Sequence, residues 1–225
     1  MTTVRSSRLG AVPTAPFVLI HGFADSSATW APLVPFLEPV AEVRCWDLPG
    51  HGSRVDAPPD LMSREAAVAE LAEQTAALGA PAELVGHSLG GYLALTLAIK
   101  HPDLVASITL VSSGPGFRDA DSRARWNQYM DNVAAKNGMS GSVAGLGHQP
   151  DSFVMDNLTA ITCPLLHVLG AGDTRYAAGA NYLAKVFPGS LLVTIPGAGH
   201  HPQVTHPANV AAAMLPGLAG MPETT

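Results

Sequence analysis

The chain has 225 residues, 47% of them hydrophobic and only 13% charged, which is enough apolar material for one sizeable domain with a full core. A formal charge of -6 argues against a nucleic-acid-binding surface, and no apolar run reaches the ~18 residues of a membrane span. Two cysteines, Cys45 and Cys163, sit in apolar strand-like runs, so buried free thiols are expected rather than a disulfide or a metal pair.

Met1 to Ala15 is polar, punctuated by proline and expected to be ordered only in part. It carries Arg5 and Arg8 without an apolar stretch, so it does not read as a secretory signal, and the expected location is cytoplasmic. Phe17-Val18-Leu19-Ile20 is a continuous apolar run, as in strands buried on both faces, and it ends at His21-Gly22-Phe23. Ser26 or Ser27 caps a predicted helix through Trp30, Leu33, Val34 and Leu37. Val43 to Leu48 predicts the next strand, closed by Pro49-Gly50-His51-Gly52. After a Pro-rich loop, Ser63 caps a helix that runs to Leu78, with Gly79 as its stop.

Leu84-Val85-Gly86-His87-Ser88-Leu89-Gly90-Gly91-Tyr92 then passes from a strand pattern into a helical one. Its spacing is Gly-x-Ser-x-Gly, which suits a sharp strand-to-helix turn that lifts the serine hydroxyl clear of the sheet. The helix ends near His101-Pro102, and Val105 to Val111 is again strand-like. Gly114 to Asp156 breaks the rhythm, with one helix at about Ala120 to Ala135 and then a Gly-rich loop through Gly138, Gly141, Gly145 and Gly147. Alternation resumes with a strand at Leu165 to Leu169, a helix at Ala177 to Val186, a strand at Leu191 to Ile195 and a closing helix at about Ala208 to Leu218. This order predicts an α/β fold: a mostly parallel sheet flanked by helices on both faces. The reading is one domain over 1–225 with a short lid insertion at about 115–156.

Open α/β sheets bind ligands beyond the carboxyl ends of their strands. At those ends lie Ser88, Asp173 after Gly170-Ala171-Gly172, and His200 after Gly197-Ala198-Gly199. A serine hydroxyl needs an adjacent base, and the base needs a carboxylate to fix its tautomer. Ser88, His200 and Asp173 are placed for those roles, and the amides of Phe23 and Leu89 are the candidate oxyanion donors. His201 and His206 compete with His200, and Asp119 and Asp121 with Asp173. His21, Asp47 and His51 read as loop-fixing residues, Asp25 as a turn residue and His148 as solvated. Trp30, Trp126, Tyr129 and Met130 are candidates for the substrate pocket or for the core.

From about Phe17 to Leu218 the chain resembles the α/β-hydrolase fold superfamily of serine hydrolases. The order Ser88…Asp173…His200, the His-Gly segment after the first strand and the Asp-Leu-Pro-Gly-His-Gly loop carry the likeness. The resemblance implies Ser88 as nucleophile, His200 as base and Asp173 as orienting acid, with no metal and no organic cofactor. Two departures stand out: there is almost no room for antiparallel strands before Phe17, and the lid is short. A small lid implies an open site and a preference for short to medium acyl chains.

The leading expectation is hydrolysis of a small or medium carboxylic ester or thioester through an acyl-enzyme on Ser88. A second is lyase chemistry, because Gly147-His148-Gln149-Pro150-Asp151 is similar to the menaquinone-pathway 2-succinyl-6-hydroxy-2,4-cyclohexadiene-1-carboxylate synthase. That family usually has an arginine just past the second glycine of the nucleophile turn, where this chain has Tyr92. A third is a non-catalytic ligand-binding protein on the same fold. The expected partner is a small-molecule ester.

Overall fold

The computed structural model describes residues 15–187 and 189–215. The N-terminal stretch before Ala15, and the part of the closing helix expected at 216–218, lie outside them. Six strands form one sheet: β1 (Phe17–Ile20), β2 (Val43–Trp46), β3 (Ala82–His87), β4 (Val105–Val111), β5 (Leu165–Gly170) and β6 (Leu191–Ile195). Their order is β2-β1-β3-β4-β5-β6, and every neighbouring pair is parallel.

The apolar runs form strands because both of their faces are covered. Val18, Ile20, Leu84, Ile108 and Leu110 point into one core, beneath α2 (Arg64–Ala76) and α3 (Leu89–Lys100). Phe17, Leu19, Val85, Val111 and Val168 alternate into the other, against Leu33, Leu37 and the C-terminal Val210 and Ala211. Ser63 caps α2 as expected, its hydroxyl accepting from the Ala66 amide at 3.1 Å.

The helix expected through Trp30 to Leu37 is broken in two. A 3-10 turn spans Ser27–Trp30, and a one-turn helix, α1, spans Val34–Leu37. Pro32 and Pro35 supply no amide protons, so a continuous ladder has nothing to run on. Ser26 makes no side-chain cap, and the Ser27 amide donates to Asp47 instead.

Between β4 and β5 lie α4 (Ala120–Lys136), α5 (Gly141–Gly147) and α6 (Phe153–Asp156). The α5 stretch reads as loop from its glycines, yet it is helical. Burial of Val143, Ala144 and Leu146 outweighs the ~1 kcal/mol that a glycine costs in a helix. At Gly147 a Cβ would press on the terminal methyl of the Met130 side chain of α4, which would have to shift. After β5 come α7 (Thr174–Val186), β6, α8 (Pro202–Thr205) and α9 (Pro207–Met214).

The chain runs outward from β1 in both directions, to β2 on one side and β3 on the other. The crevice at that reversal lies between the carboxyl ends of β1 and β3. Register pairs Ile20 with Gly86, which sets His21 and Gly22 beside His87 and Ser88.

Candidate active site

Ser88 sits at the turn from β3 into α3 with φ 50° and ψ -113°. That backbone is strained for a residue with a Cβ, typically by about 1–3 kcal/mol. Surrounding bonds hold it. The Ser88 amide donates to the Val111 carbonyl at 3.1 Å, and the Ser88 carbonyl accepts from the Ser113 hydroxyl at 2.6 Å. The flanking glycines are steric requirements: a Cβ on Gly86 would strike the Gly91 backbone, and one on Gly90 the Ile20 carbonyl. Leu89 opens α3 and Phe23 follows β1. Neither amide donates to another described residue, and both residues line the cavity that holds Ser88.

His200 arrives from the turn after β6. Its Nδ1 lies 2.8 Å from Asp173 Oδ2. Asp173 is buried and is fixed by its amide bond to the Gly170 carbonyl at 2.9 Å. Burial works to raise its carboxyl, but the hydrogen bond and charge of His200 outweigh this and hold it below the usual carboxylate range. The two loops meet closely because Gly170 has no Cβ to strike the Gly199 carbonyl.

The Ser88 hydroxyl bonds to neither His200 nor Asp173 among the described residues. It lies 3.0 Å from the phenol oxygen of Tyr176 in α7. The Tyr176 ring stacks on His200, with 10° between planes and 5.2 Å between centroids. Burial pushes its phenol up to about 12. Sequence reasoning missed Tyr176. The available signal was its position three residues after Asp173, on the same face of a helix.

The cavity encloses about 240 Å³. Trp126, Tyr129 and Met130 of α4 line it, and the Trp126 indole N–H donates to the Gly147 carbonyl at 2.9 Å. Trp30 does not line it, which corrects its candidacy as a pocket residue. It is fully buried with Leu33 and Leu37 in the core on the other sheet face, because the 3-10 turn packs it there.

His201 lines the same cavity, its ring 5.0 Å from that of His200, while the other rivals fall elsewhere. Asp119 caps α4 by accepting from the Ser122 amide at 2.7 Å, Asp121 is exposed, and His206 bonds Thr205 at 2.8 Å. His148 pairs with Asp131 at 2.8 Å. The loops after β1 and β2 are tied together. His21 Nε2 accepts from the Leu48 amide at 3.0 Å, and His51 Nε2 from the Ala24 amide at 3.1 Å. Asp47 accepts from Ser27 and Ser53, and despite burial these bonds bring its carboxyl down to about 2.

Asp25, His87 and His201 each bring one ligand atom within 4.8 Å of the others, the one such group among the described residues. Buried His87 donates from Nε2 to the His200 carbonyl at 2.9 Å; its Nδ1 has no hydrogen-bond partner, and Asp25 Oδ2 lies 3.8 Å from His201 Nε2 without a hydrogen bond. That donor set would accept a small cation, and its spacing equally suits a single bridging water.

The profile of the alpha/beta hydrolase fold matches residues 15–139. The chain belongs to the alpha/beta hydrolase fold family. Within that family it is 29% identical to the pimeloyl-(acyl-carrier protein) methyl ester esterase of Aeromonas hydrophila, over 91% of this chain and 95% of that one. A Bacillus subtilis family member with a provisional name as a 2-succinyl-6-hydroxy-2,4-cyclohexadiene-1-carboxylate synthase is 25% identical over 84% of this chain and 85% of its own. Among solved structures, a malate-bound thermophilic esterase from Thermogutta terrifontis superposes with a TM-score of 0.77 at 24% identity, over 92% of this chain and 90% of that one. Esterase-named relatives support a hydrolase-type enzyme. No helix among the described residues is long and apolar enough to cross a membrane.

Proposed function

We propose that the protein is a carboxylic-ester hydrolase with Ser88 as nucleophile, His200 as base and Asp173 as the acid that orients it. The observation that carries this reading is the 2.8 Å bond between His200 Nδ1 and Asp173, at the wall of the cavity that holds the strained Ser88. A carboxylate on Nδ1 leaves Nε2 free to accept the serine proton and stabilises the imidazolium that results. Ser88 Oγ attacks the ester carbonyl as His200 takes its proton, and the new oxyanion is met by the Phe23 and Leu89 amides. His200 passes the proton to the leaving alkoxide, and an acyl-enzyme remains. Water then repeats the sequence with His200 as base and frees the acid. Each oxyanion donor is worth ~3 kcal/mol of barrier in related chemistry.

On this reading residues 115–156 form the lid of a single domain, and the enzyme works in the cytoplasm without metal or organic cofactor. The name of the Aeromonas relative supports an ester of an acyl chain as the substrate class. A cavity of about 240 Å³ supports short to medium chains. The test is a series of p-nitrophenyl esters from acetate to palmitate, with fluorophosphonate labelling of wild type and Ser88→Ala. Turnover with labelling at Ser88, both absent in the variant, is the expected result. A folded wild type that neither turns over nor labels would end the proposal.

The synthase reading ranks second, on the Bacillus relative. Turnover of the succinyl substrate, at a rate above that on any p-nitrophenyl ester, would move it to first place.

A further inference from the structure

The cavity around Ser88 is lined by two guanidinium groups, Arg64 and Arg175, and by no carboxylate. The protein as a whole carries a formal charge of -6, so this is a positive pocket in an acidic molecule. The other described arginines have partners outside the cavity. Arg44, Arg54, Arg118 and Arg125 pair with Glu42, Glu70, Asp156 and Asp119. Arg123 donates to the Phe117 and Arg118 carbonyls.

Arg64 differs from all of these. It opens α2, and its guanidinium lies 4.4 Å from the centroid of the Tyr92 ring. Tyr92 is one helical turn beyond Ser88 in α3. Arg64 makes no ion pair, and its Nε is buried without a hydrogen-bond partner. Burial is the largest influence on its charge; the Tyr92 hydroxyl hydrogen-bonds the guanidinium, and Asp151 acts on it from longer range. Desolvating a cation without full compensation is costly, and an incoming anion offsets that cost. Arg175 stands at the rim, over the ring of Tyr129 at 4.4 Å and bonded to its hydroxyl. Phe23, Leu89, Met130 and Val133 give the same cavity apolar wall.

We propose that the substrate is the half-ester of a small dicarboxylic acid. Its free carboxylate is bound by Arg64, with Arg175 adding charge at the rim, and a short apolar spacer separates it from the ester carbonyl at Ser88. A planar carboxylate matches the two-pronged donor geometry of one guanidinium. This inference rests on the hydrolase reading and narrows it to a substrate class.

The test compares the monomethyl esters of succinate, glutarate and adipate with the matching dimethyl esters at low salt. For the best length, kcat/KM is expected to favour the half-ester by about tenfold or more in wild type. Arg64→Gln should bring that ratio toward one, and Arg64→Lys should keep part of it. Fluorophosphonate labelling checks that Arg64→Gln is folded. A wild-type ratio near one, or a ratio that Arg64→Gln leaves unchanged, overturns the inference while the hydrolase stands. If wild type hydrolyses none of these esters, calorimetry with glutarate decides. Binding by wild type that Arg64→Gln loses supports the anion site without the hydrolase, and no binding by wild type refutes it.

Discussion

The Tyr176 phenol stands 3.0 Å from Ser88 Oγ, and its ring lies flat on the imidazole of His200. One side chain therefore touches the proposed nucleophile and the proposed base together. With burial holding the phenol up at about 12, it remains a proton donor through the neutral range. It fixes the serine rotamer, and the stack fixes the plane of the imidazole. Tyr176→Phe keeps the stack and loses the hydroxyl; its kcat on a p-nitrophenyl ester should fall about tenfold, the order of one hydrogen bond. Tyr176→Ala loses both, and its kcat should fall further. Wild-type kcat in the Phe variant would show that the hydroxyl contact is incidental.

Asp173→Asn tests the other contact of His200. An amide in place of the carboxylate can offer N–H to Nδ1, which selects the wrong tautomer and strands the base. In an established serine-histidine-aspartate triad the change costs about 10⁴ in kcat. A loss of that order is expected with KM little altered, measured by steady-state kinetics and paired with a thermal melt. A loss of less than about tenfold would remove Asp173 from the role.

The inner strands β1, β3, β4 and β5 were legible because each is an apolar run that is mostly buried, a pattern that needs no tertiary knowledge. Val105–Val111 and Leu191–Ile195 have the ends that the residues suggested. Other features depend on neighbours that a linear reading does not see. The glycines of 141–147 look like loop until the burial of Val143, Ala144 and Leu146 among them is known. Trp30 looked suited to core or pocket, and only the break at Pro32 and Pro35 turns it to the far side of the sheet. Arg64 reads as an ordinary first-turn residue of α2, and its approach to Tyr92 is a contact between helices. Tyr176 was hidden in the same way, since stacking on His200 joins helix α7 to the turn after β6.

Glycine substitutions separate steric need from turn preference. Gly90→Ala would drive a Cβ into the Ile20 carbonyl, in backbone that cannot retreat without opening the β1–α3 contact. Overpacking of this kind costs typically 1–3 kcal/mol or more, and the displaced turn should also abolish Ser88 labelling. Gly79 has φ +71° and open space around it, so Gly79→Ala meets only the left-handed backbone penalty, about 1 kcal/mol. Melting temperatures and labelling yields should therefore fall together in the first variant, while only a small stability loss appears in the second. Full labelling of Gly90→Ala would contradict the steric account of the turn.

Acid should weaken the fold before its carboxylates titrate, because buried histidines must take up protons. Burial lowers His167 and His51 from 6.5 to about 4. A group depressed in the folded state contributes stability that is complete above its unfolded value and is lost as pH falls toward its folded one. The window is therefore pH 6.5 to 4, where the unfolded chain binds more protons and stability rises with pH. A shift of that size corresponds to about 3 kcal/mol for each histidine when fully expressed. Asp47, near 2 in the fold, extends the loss below pH 4. His167 isolates the effect, since its Nε2 is buried in β5 without a partner and it takes no part in the site. His167→Leu should hold or slightly raise stability at pH 7.5, where an unpartnered buried polar atom is removed. Between pH 6.5 and 4 the variant should lose stability less steeply than wild type, by one proton's contribution to the slope. Urea midpoints measured across that range give the comparison, and parallel curves for the two proteins would assign the acid sensitivity elsewhere.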